Sequence, residues 1–365
     1  MANKRKRAPK EGPNEVQPTQ KRSKSETPAT NGATKSKPPK AATLDRALFV
    51  ENPTGEDRKR EAELYDKLGR EDVDERIEAA DAIISSLLGS GQESVAEPIL
   101  RRHLEKRLFR GLASGRNASR LGFSLVITEI LNQLFGEKNL AGSKYAGMTF
   151  EEVRKILVRS TTPFGNLGGQ EERNHWFGQL FGIECFVRAG VVAEDKDKWL
   201  VVLDLLVELS HKKSWLKPQC GFIIVQAVSQ MKKDLAEETL KKLAYQGFAK
   251  TPEGVAIWIA ALDRFPDIKV PAQPWRDPLA ASSLPALPAA LKDSGRDQSN
   301  DEVGGKKPKQ GNWTAQLHFV WDLILAHLVK LGAKSEDDAS EQFKQFWSRV
   351  VDGMFYPMSI VHVDC

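Results

Sequence analysis

The sequence predicts an all-α fold, an irregular HEAT/armadillo-like α-solenoid with a disordered basic N-terminal tail. Three observations predict it. Apolar residues recur at helical spacing in segment after segment, and no convincing alternation of period two marks a strand. Each amphipathic segment is too small to bury its own stripe, so it needs neighbours stacked on either side. Finally, residues 1–42 are rich in Lys, Pro, Ser and Thr and almost devoid of large apolar side chains, so they cannot offset their ordering entropy.

The tail comes first. It carries 11 Lys+Arg against 3 Asp+Glu, a net of +8, while the remainder of the chain nets −3; the whole formal charge of +5 therefore originates in it. Lys4, Arg5, Lys6 and Arg7 form one basic cluster, and Lys21, Arg22 and Lys24 form a second. That is the spacing of a two-part nuclear import signal, which acidic grooves on a nuclear import receptor would read. A solubilising tail with loose RNA affinity is the alternative, and the two are compatible.

Residues 43–265 read as a helical-repeat array. Arg76–Leu88 carries Ile77, Ala80, Ile83, Ile84, Leu87 and Leu88 at helical spacing, and Gly89-Ser90-Gly91 ends it. Glu97 to Phe135 reads as two helices joined by a glycine turn. Leu100, Leu104, Leu108 and Leu112 form the first stripe, and Leu121, Leu125, Ile130 and Leu134 the second. Gly111 and Gly115 supply the stop through left-handed backbone, with Asn117 or Ser119 as the next cap. Thr149-x-x-Glu152 is a capping box opening a helix through Val158. Helices follow over Glu171–Ala189, Asp195–His211 (with Leu200, Leu203, Leu206 and Val207 facing the core) and Pro218–Met231. Thr251-Pro252-Glu253 then places a cap, a proline and an acidic first turn ahead of Val255–Phe265.

Residues 266–310 break the regularity. Six prolines between Pro266 and Pro288 precede a polar stretch, which predicts a long mobile insertion between packed helices. Residues 311–352 continue the repeat: Trp313–Leu331 resumes the pattern with Leu317, Val320, Trp321, Ile324, Leu325 and Leu328, and Ser335–Val351 closes it with Phe343, Phe346, Trp347 and Val350. Residues 353–365 end in MFYPMSIVHVDC, too apolar for the polar outer face of a terminal repeat, which predicts a truncated chain.

The wording of several segments is distinctive. RGLASGRNASRLGFSLVITEIL (Arg110–Leu131), EERNHWFGQLFGIECFVRAGVV (Glu171–Val192) and HKKSWLKPQCGFIIVQ (His211–Gln226) resemble the DNA polymerase phi family. That family comprises the Myb-binding-protein-1a-like proteins of animals and the fungal fifth DNA polymerase proteins. The resemblance covers roughly residues 65 to 350 and matches the N-terminal part of a family whose members are usually far longer. It implies a protein of the nucleus and nucleolus, of helical-repeat type, tied to ribosomal DNA transcription and ribosome biogenesis. Its implied partners are ribosomal DNA or pre-rRNA, together with transcription factors or ribosome-assembly proteins.

The residues themselves exclude several chemistries. No apolar run approaches the ~18 residues that span a membrane, so no membrane partner is expected. Cys185, Cys220 and Cys365 are an odd set without CxxC spacing, against a disulfide framework or a zinc site. His103, His175, His211, His318, His327 and His362 show no ligand spacing; His175 beside Glu171 and Glu172 reads as a surface histidine. Gly165-Asn166-Leu167-Gly168-Gly169 lacks the preceding strand and the Lys-Ser/Thr of a phosphate loop. A polymerase needs paired carboxylates for two metal ions, and no such motif occurs; Asp337-Asp338 reads as helix-dipole compensation. Hence no catalytic residue, metal or cofactor is expected, although the family name keeps a DNA polymerase or other nucleotide-using enzyme as the competing reading.

Binding is the better-supported class. Arg101, Arg102, Lys106, Arg107, Arg110, Arg116 and Arg120 lie within 20 residues that hold one acid, Glu105. Arg102, Lys106 and Arg110 recur at i, i+4 and i+8, opposite the leucine stripe. A row of that kind neutralises successive phosphates with little sequence preference. The bland alternative is a solvated outer face. Trp176, Trp199, Trp258, Trp321 and Trp347 sit at apolar helix positions and read as core rather than as base-stacking platforms.

Overall fold

The computed structural model describes residues 44–89, 93–292, 317–333 and 336–352. Among these, every regular element is helical. Both import clusters, residues 293–310 of the insertion and the C-terminal stretch 353–365 lie outside the described residues, as does Cys365.

Helix α1 (Gly55–Leu68) opens on a reciprocal capping box: the Asp57 amide donates to the Thr54 hydroxyl, and the Asp57 carboxylate accepts from the Thr54 amide at 2.9 Å. Helix α2 (Val73–Leu88) starts on Asp72 and stops at Gly89, whose φ of +69° requires glycine. Helix α3 runs through Glu97–His103, a π turn at Leu104–Leu108 and Phe109–Gly111. There follow α4 (Asn117–Phe135), the single turn α5 (Leu140–Ser143), α6 (Phe150–Thr161), α7 (Gly169–Arg188) and α8 (Lys196–Lys212). Next come α9 (Lys217–Val228), α10 (Lys233–Tyr245), α11 (Pro252–Arg264) and the short α12 (Leu287–Leu291). Helices α13 (Val320–Gly332) and α14 (Glu336–Phe346) complete the set, the last passing into a π turn at Trp347–Val351. The expected caps are in place at Thr149 and Thr251, and Asp195 caps α8 as well, each side chain accepting from the amide three residues on; the Glu152 carboxylate does not close the expected box but pairs with Arg101.

Packing follows chain order. Helix α1 packs on α2, α2 on α4, α4 on α7, α7 on α9, α9 on α11, and α11 on α13. A second set fills the other side, with α3 against α6, α6 against α7, and α10 against α8 and α11. One continuous apolar core runs through all of them, from Phe49 to Val350.

The leucine stripe of α3 is fully buried at Leu100, Leu104, Leu108 and Leu112. A four-residue step overshoots an α-helical turn by ~40°, so four such leucines would drift round a regular helix. The π turn takes up that excess and keeps all four facing inward.

Other expectations are corrected. Gly111 and Gly115 are not in left-handed backbone. Gly111 instead permits a close approach, because a Cβ there would meet the Phe123 ring at 2.5 Å. Neither Asn117 nor Ser119 caps α4, which starts on Arg116 without a side-chain cap; Ser119 lies inside the helix and donates to the Gly69 carbonyl. Leu121 and Leu125 are exposed, and the buried face of α4 is Ala118, Val126, Ile127, Ile130, Leu131 and Leu134. Ile77, Leu317, Leu325, Phe343 and Trp347 are likewise exposed rather than core. Helix position alone does not say which side a neighbour covers. The proline-rich stretch is no free loop over residues 266–292: Ile268, Trp275, Leu284, Leu287 and Leu291 are buried and anchor it to the body. The side chains of Asp337 and Asp338 fall outside the description.

Candidate nucleic-acid interface

The seven cations between Arg101 and Arg120 separate into two groups. Arg101 is consumed by the fold: its guanidinium pairs with Glu152 and Glu97 and donates to the Gly147 carbonyl at 3.1 Å. Arg102 donates to the carbonyls of Glu51 at 2.7 Å and Val50 at 3.1 Å, and to the Glu61 carboxylate at 3.2 Å. Arg120 is 6% exposed; it donates to the Asn117 and Asn174 side-chain oxygens and lies over the Phe177 ring. Burial lowers its affinity for the proton. These three arginines tie the chain to itself.

The other four face solvent. Lys106 stands 3.0 Å from Glu105, which Arg159 also reaches at 3.3 Å. Arg107 is 3.9 Å from Glu61 and lies over Tyr65. Arg110 and Arg116 are exposed and have no side-chain ion-pair partner among the described residues. The available basic face is therefore Lys106, Arg107, Arg110 and Arg116 rather than the full seven.

Beside this face lies a polar cluster that the sequence does not reveal. Glu61 on α1 is buried, its side chain 5% exposed, and it meets Arg102 and His103 from α3. His103 stacks on Phe49 at 4.3 Å between centroids, and its Nδ1 is 2.8 Å from the Tyr65 hydroxyl. Its Nε2 is 3.0 Å from the Arg102 guanidinium, which can only donate, so Nε2 is the acceptor and Nδ1 carries the proton. Burial, reinforced by Arg102 and Arg107, pushes the imidazole down to about 3. His103 is thus neutral, and its 3.6 Å contact with Glu61 is no ion pair. Arg58 on α1 flanks the cluster, exposed and without a side-chain partner among the described residues. Both Arg58 and Glu61 escape the sequence reading, although Thr54-x-x-Asp57 is the signal that would have revealed their helix.

The remaining chemistry-bearing residues are dispersed. His175, expected on the surface, is half-buried, with its Nδ1 3.2 Å from the Thr161 carbonyl. His318, just ahead of α13, meets Glu253 at 3.3 Å and His327 on α13 meets Asp263 at 2.8 Å, joining this part of the chain to α11. Cys185 and Cys220 are buried and free; burial pushes the Cys185 thiol up to about 11 and Cys220 higher still. Such thiols are poor nucleophiles. Of the five tryptophans expected in the core, Trp176, Trp199, Trp258 and Trp321 are there, and Trp347 is half exposed. Among the described residues no group of three or more His, Cys, Asp or Glu is placed to hold a metal ion, and no helix is long and apolar enough to cross a membrane.

Comparison with known proteins assigns the family. A family model described as DNA polymerase phi matches residues 103–362. The rDNA transcriptional regulator POL5 of Saccharomyces cerevisiae is 29% identical over 339 residues, covering 80% of this chain and 33% of that protein. Its namesake in Schizosaccharomyces pombe is 30% identical over 313 residues, covering 81% and 29%. Myb-binding protein 1A of Rattus norvegicus is 23% identical over 205 residues, covering 54% and 14%. The chain thus spans about a third of the length of the fungal relatives it matches. No solved structure matches it. The matched region contains the π turn of α3, the exposed cations from Lys106 to Arg116, and every helix from α4 to α14; this chain belongs to the DNA polymerase phi family.

Proposed function

We propose that this chain is a nucleolar helical-repeat scaffold that binds ribosomal DNA, its chromatin or pre-ribosomal particles, and supports rRNA transcription and ribosome biogenesis. The observation that carries the reading is that two fungal relatives matching four-fifths of the chain are named rDNA transcriptional regulators. A HEAT/armadillo-like solenoid fits the order of packing, in which each helix meets near neighbours along the chain. Nucleic acid is held by the exposed Lys106, Arg107, Arg110 and Arg116, with transcription factors or ribosome-assembly proteins on the remaining surface. Lys4–Arg7 and Lys21–Lys24 deliver the protein to the nucleus through an import receptor.

The competing reading, a polymerase, needs carboxylates clustered around two metal ions. The scattering of acidic side chains among the described residues supports the scaffold instead. Crosslinking in cells followed by sequencing of the recovered nucleic acid tests the proposal. Enrichment of ribosomal DNA or pre-rRNA is the expected result. Recovery of neither contradicts it.

A further inference from the structure

We propose that the recess between α1 and α3 seats one phosphodiester of a nucleic-acid backbone, an inference that rests on the nucleic-acid reading above. The recess has a volume of about 280 Å³ and is bounded by Arg58 and Glu61 of α1 and by Arg102, His103, Lys106 and Arg107 of α3. Its floor is electrically settled. Glu61 is matched by Arg102, which is itself fixed by the Val50 and Glu51 carbonyls, and His103 is neutral between them.

Its rim is not. Arg58 has no side-chain partner among the described residues. Lys106 shares Glu105 with Arg159, so that carboxylate stays paired when Lys106 turns elsewhere. Arg107 reaches Glu61 only at 3.9 Å. Three cations on two helices therefore converge on one concave spot and are not required to neutralise it. An anion supplies what they lack.

The floor carboxylate decides which anion. A phosphomonoester near neutral pH carries about −1.5 to −2 charges, and Glu61 beneath it opposes the second charge. A phosphodiester carries one and meets less repulsion. Arg110 lies one turn beyond Lys106 and Arg107 on the same helix, so the cations continue as a row beyond the recess. A row suits a polymer of single charges better than one isolated dianion.

The test uses the full chain, a short duplex DNA and an RNA hairpin, with affinity read by fluorescence anisotropy over a range of salt. Arg58→Ala/Lys106→Ala removes two rim charges from exposed positions, and Arg110→Ala/Arg116→Ala removes two outside the recess. The rim variant should bind more weakly irrespective of sequence, and its log–log salt slope on duplex DNA should shrink by about 1.8, at 0.9 per lost contact. The arm with the larger loss, DNA or RNA, identifies the source of the phosphodiester. In the unmodified chain, bound nucleic acid should also protect Lys106 from acetylation. Unchanged slope and affinity in the rim variant, with both reduced in the Arg110/Arg116 variant, would overturn the recess and leave the nucleic-acid reading standing. A wild-type chain that binds neither probe at low salt would remove both. Rim substitutions that abolish capture of a phosphoserine peptide but spare nucleic acid would reassign the recess to a monoester and overturn the proposal.

Discussion

His103 should make the protein acid-sensitive, by an amount that follows from its surroundings. The imidazole is 1% exposed, stacked on Phe49, hydrogen-bonded to Tyr65 and held neutral by its burial, with the adjacent Arg102 guanidinium adding to the effect. Its folded value of about 3 lies far below the ordinary 6.5 that it regains on unfolding. Above about pH 6.5 neither state binds the proton and the stability is complete. As pH falls from there toward about 3, only the unfolded state is protonated, so stability is lost at about 1.4 kcal/mol per pH unit. At pH 5 the loss is about 2 kcal/mol, and because the folded value lies well below 5 this figure depends on the unfolded value alone. Urea unfolding at pH 8 and pH 5 measures it, with His103→Gln as the reference. The substitution lowers stability at both pH values, but the wild type should lose about 2 kcal/mol more than the variant between them. Equal losses in the two proteins would refute the assignment of a buried neutral His103.

Two further outcomes follow from contacts and charge. Gly122 on α4 is where α1 ends: a Cβ there would lie 2.0 Å from the Leu68 carbonyl oxygen, a backbone atom that cannot rotate away. Gly122→Ala should therefore cost about 1–3 kcal/mol or more in thermal unfolding, while Gly55→Ala, in the first turn of α1 with open space around it, should stay within about ±0.5 kcal/mol. Changing Lys4, Arg5, Lys6, Arg7, Lys21, Arg22 and Lys24 to Ala should exclude a fluorescent fusion from the nucleus and leave the helical signal of the body intact; continued nuclear accumulation would show that the tail is not the import signal.

What the sequence made legible was local. Caps at Thr149 and Thr251 need only the few residues around them, and the leucines of α3 announce a buried face by their own period. What it hid depends on neighbours distant in the chain. Leu121 and Leu125 repeat as regularly as Leu104 and Leu108, yet among the described residues no helix covers them. Gly111 and Gly122 mark close approaches by Phe123 and Leu68 rather than turns.

Charges were the least legible of all. Arg101 and Arg102 look as available as Lys106 and Arg110, but their partners Glu152 and Glu51 lie 51 residues away in either direction. Arg120 is likewise taken up by distant residues: it lies over the Phe177 ring and donates directly to the Asn174 side chain, 54 residues away. Glu61 is invisible as a hub because a single acid on a polar helix ordinarily faces water.

In the proposed function, exposed cations of this helical body serve rRNA transcription. Its most direct test is the rate of new pre-rRNA synthesis, measured by metabolic labelling in cells depleted of the endogenous protein. Wild-type chain expressed in those cells should restore synthesis, and a chain with Lys106, Arg107, Arg110 and Arg116 all changed to Ala should enter the nucleus, fold and fail to restore it. Full restoration by the substituted chain would contradict the account.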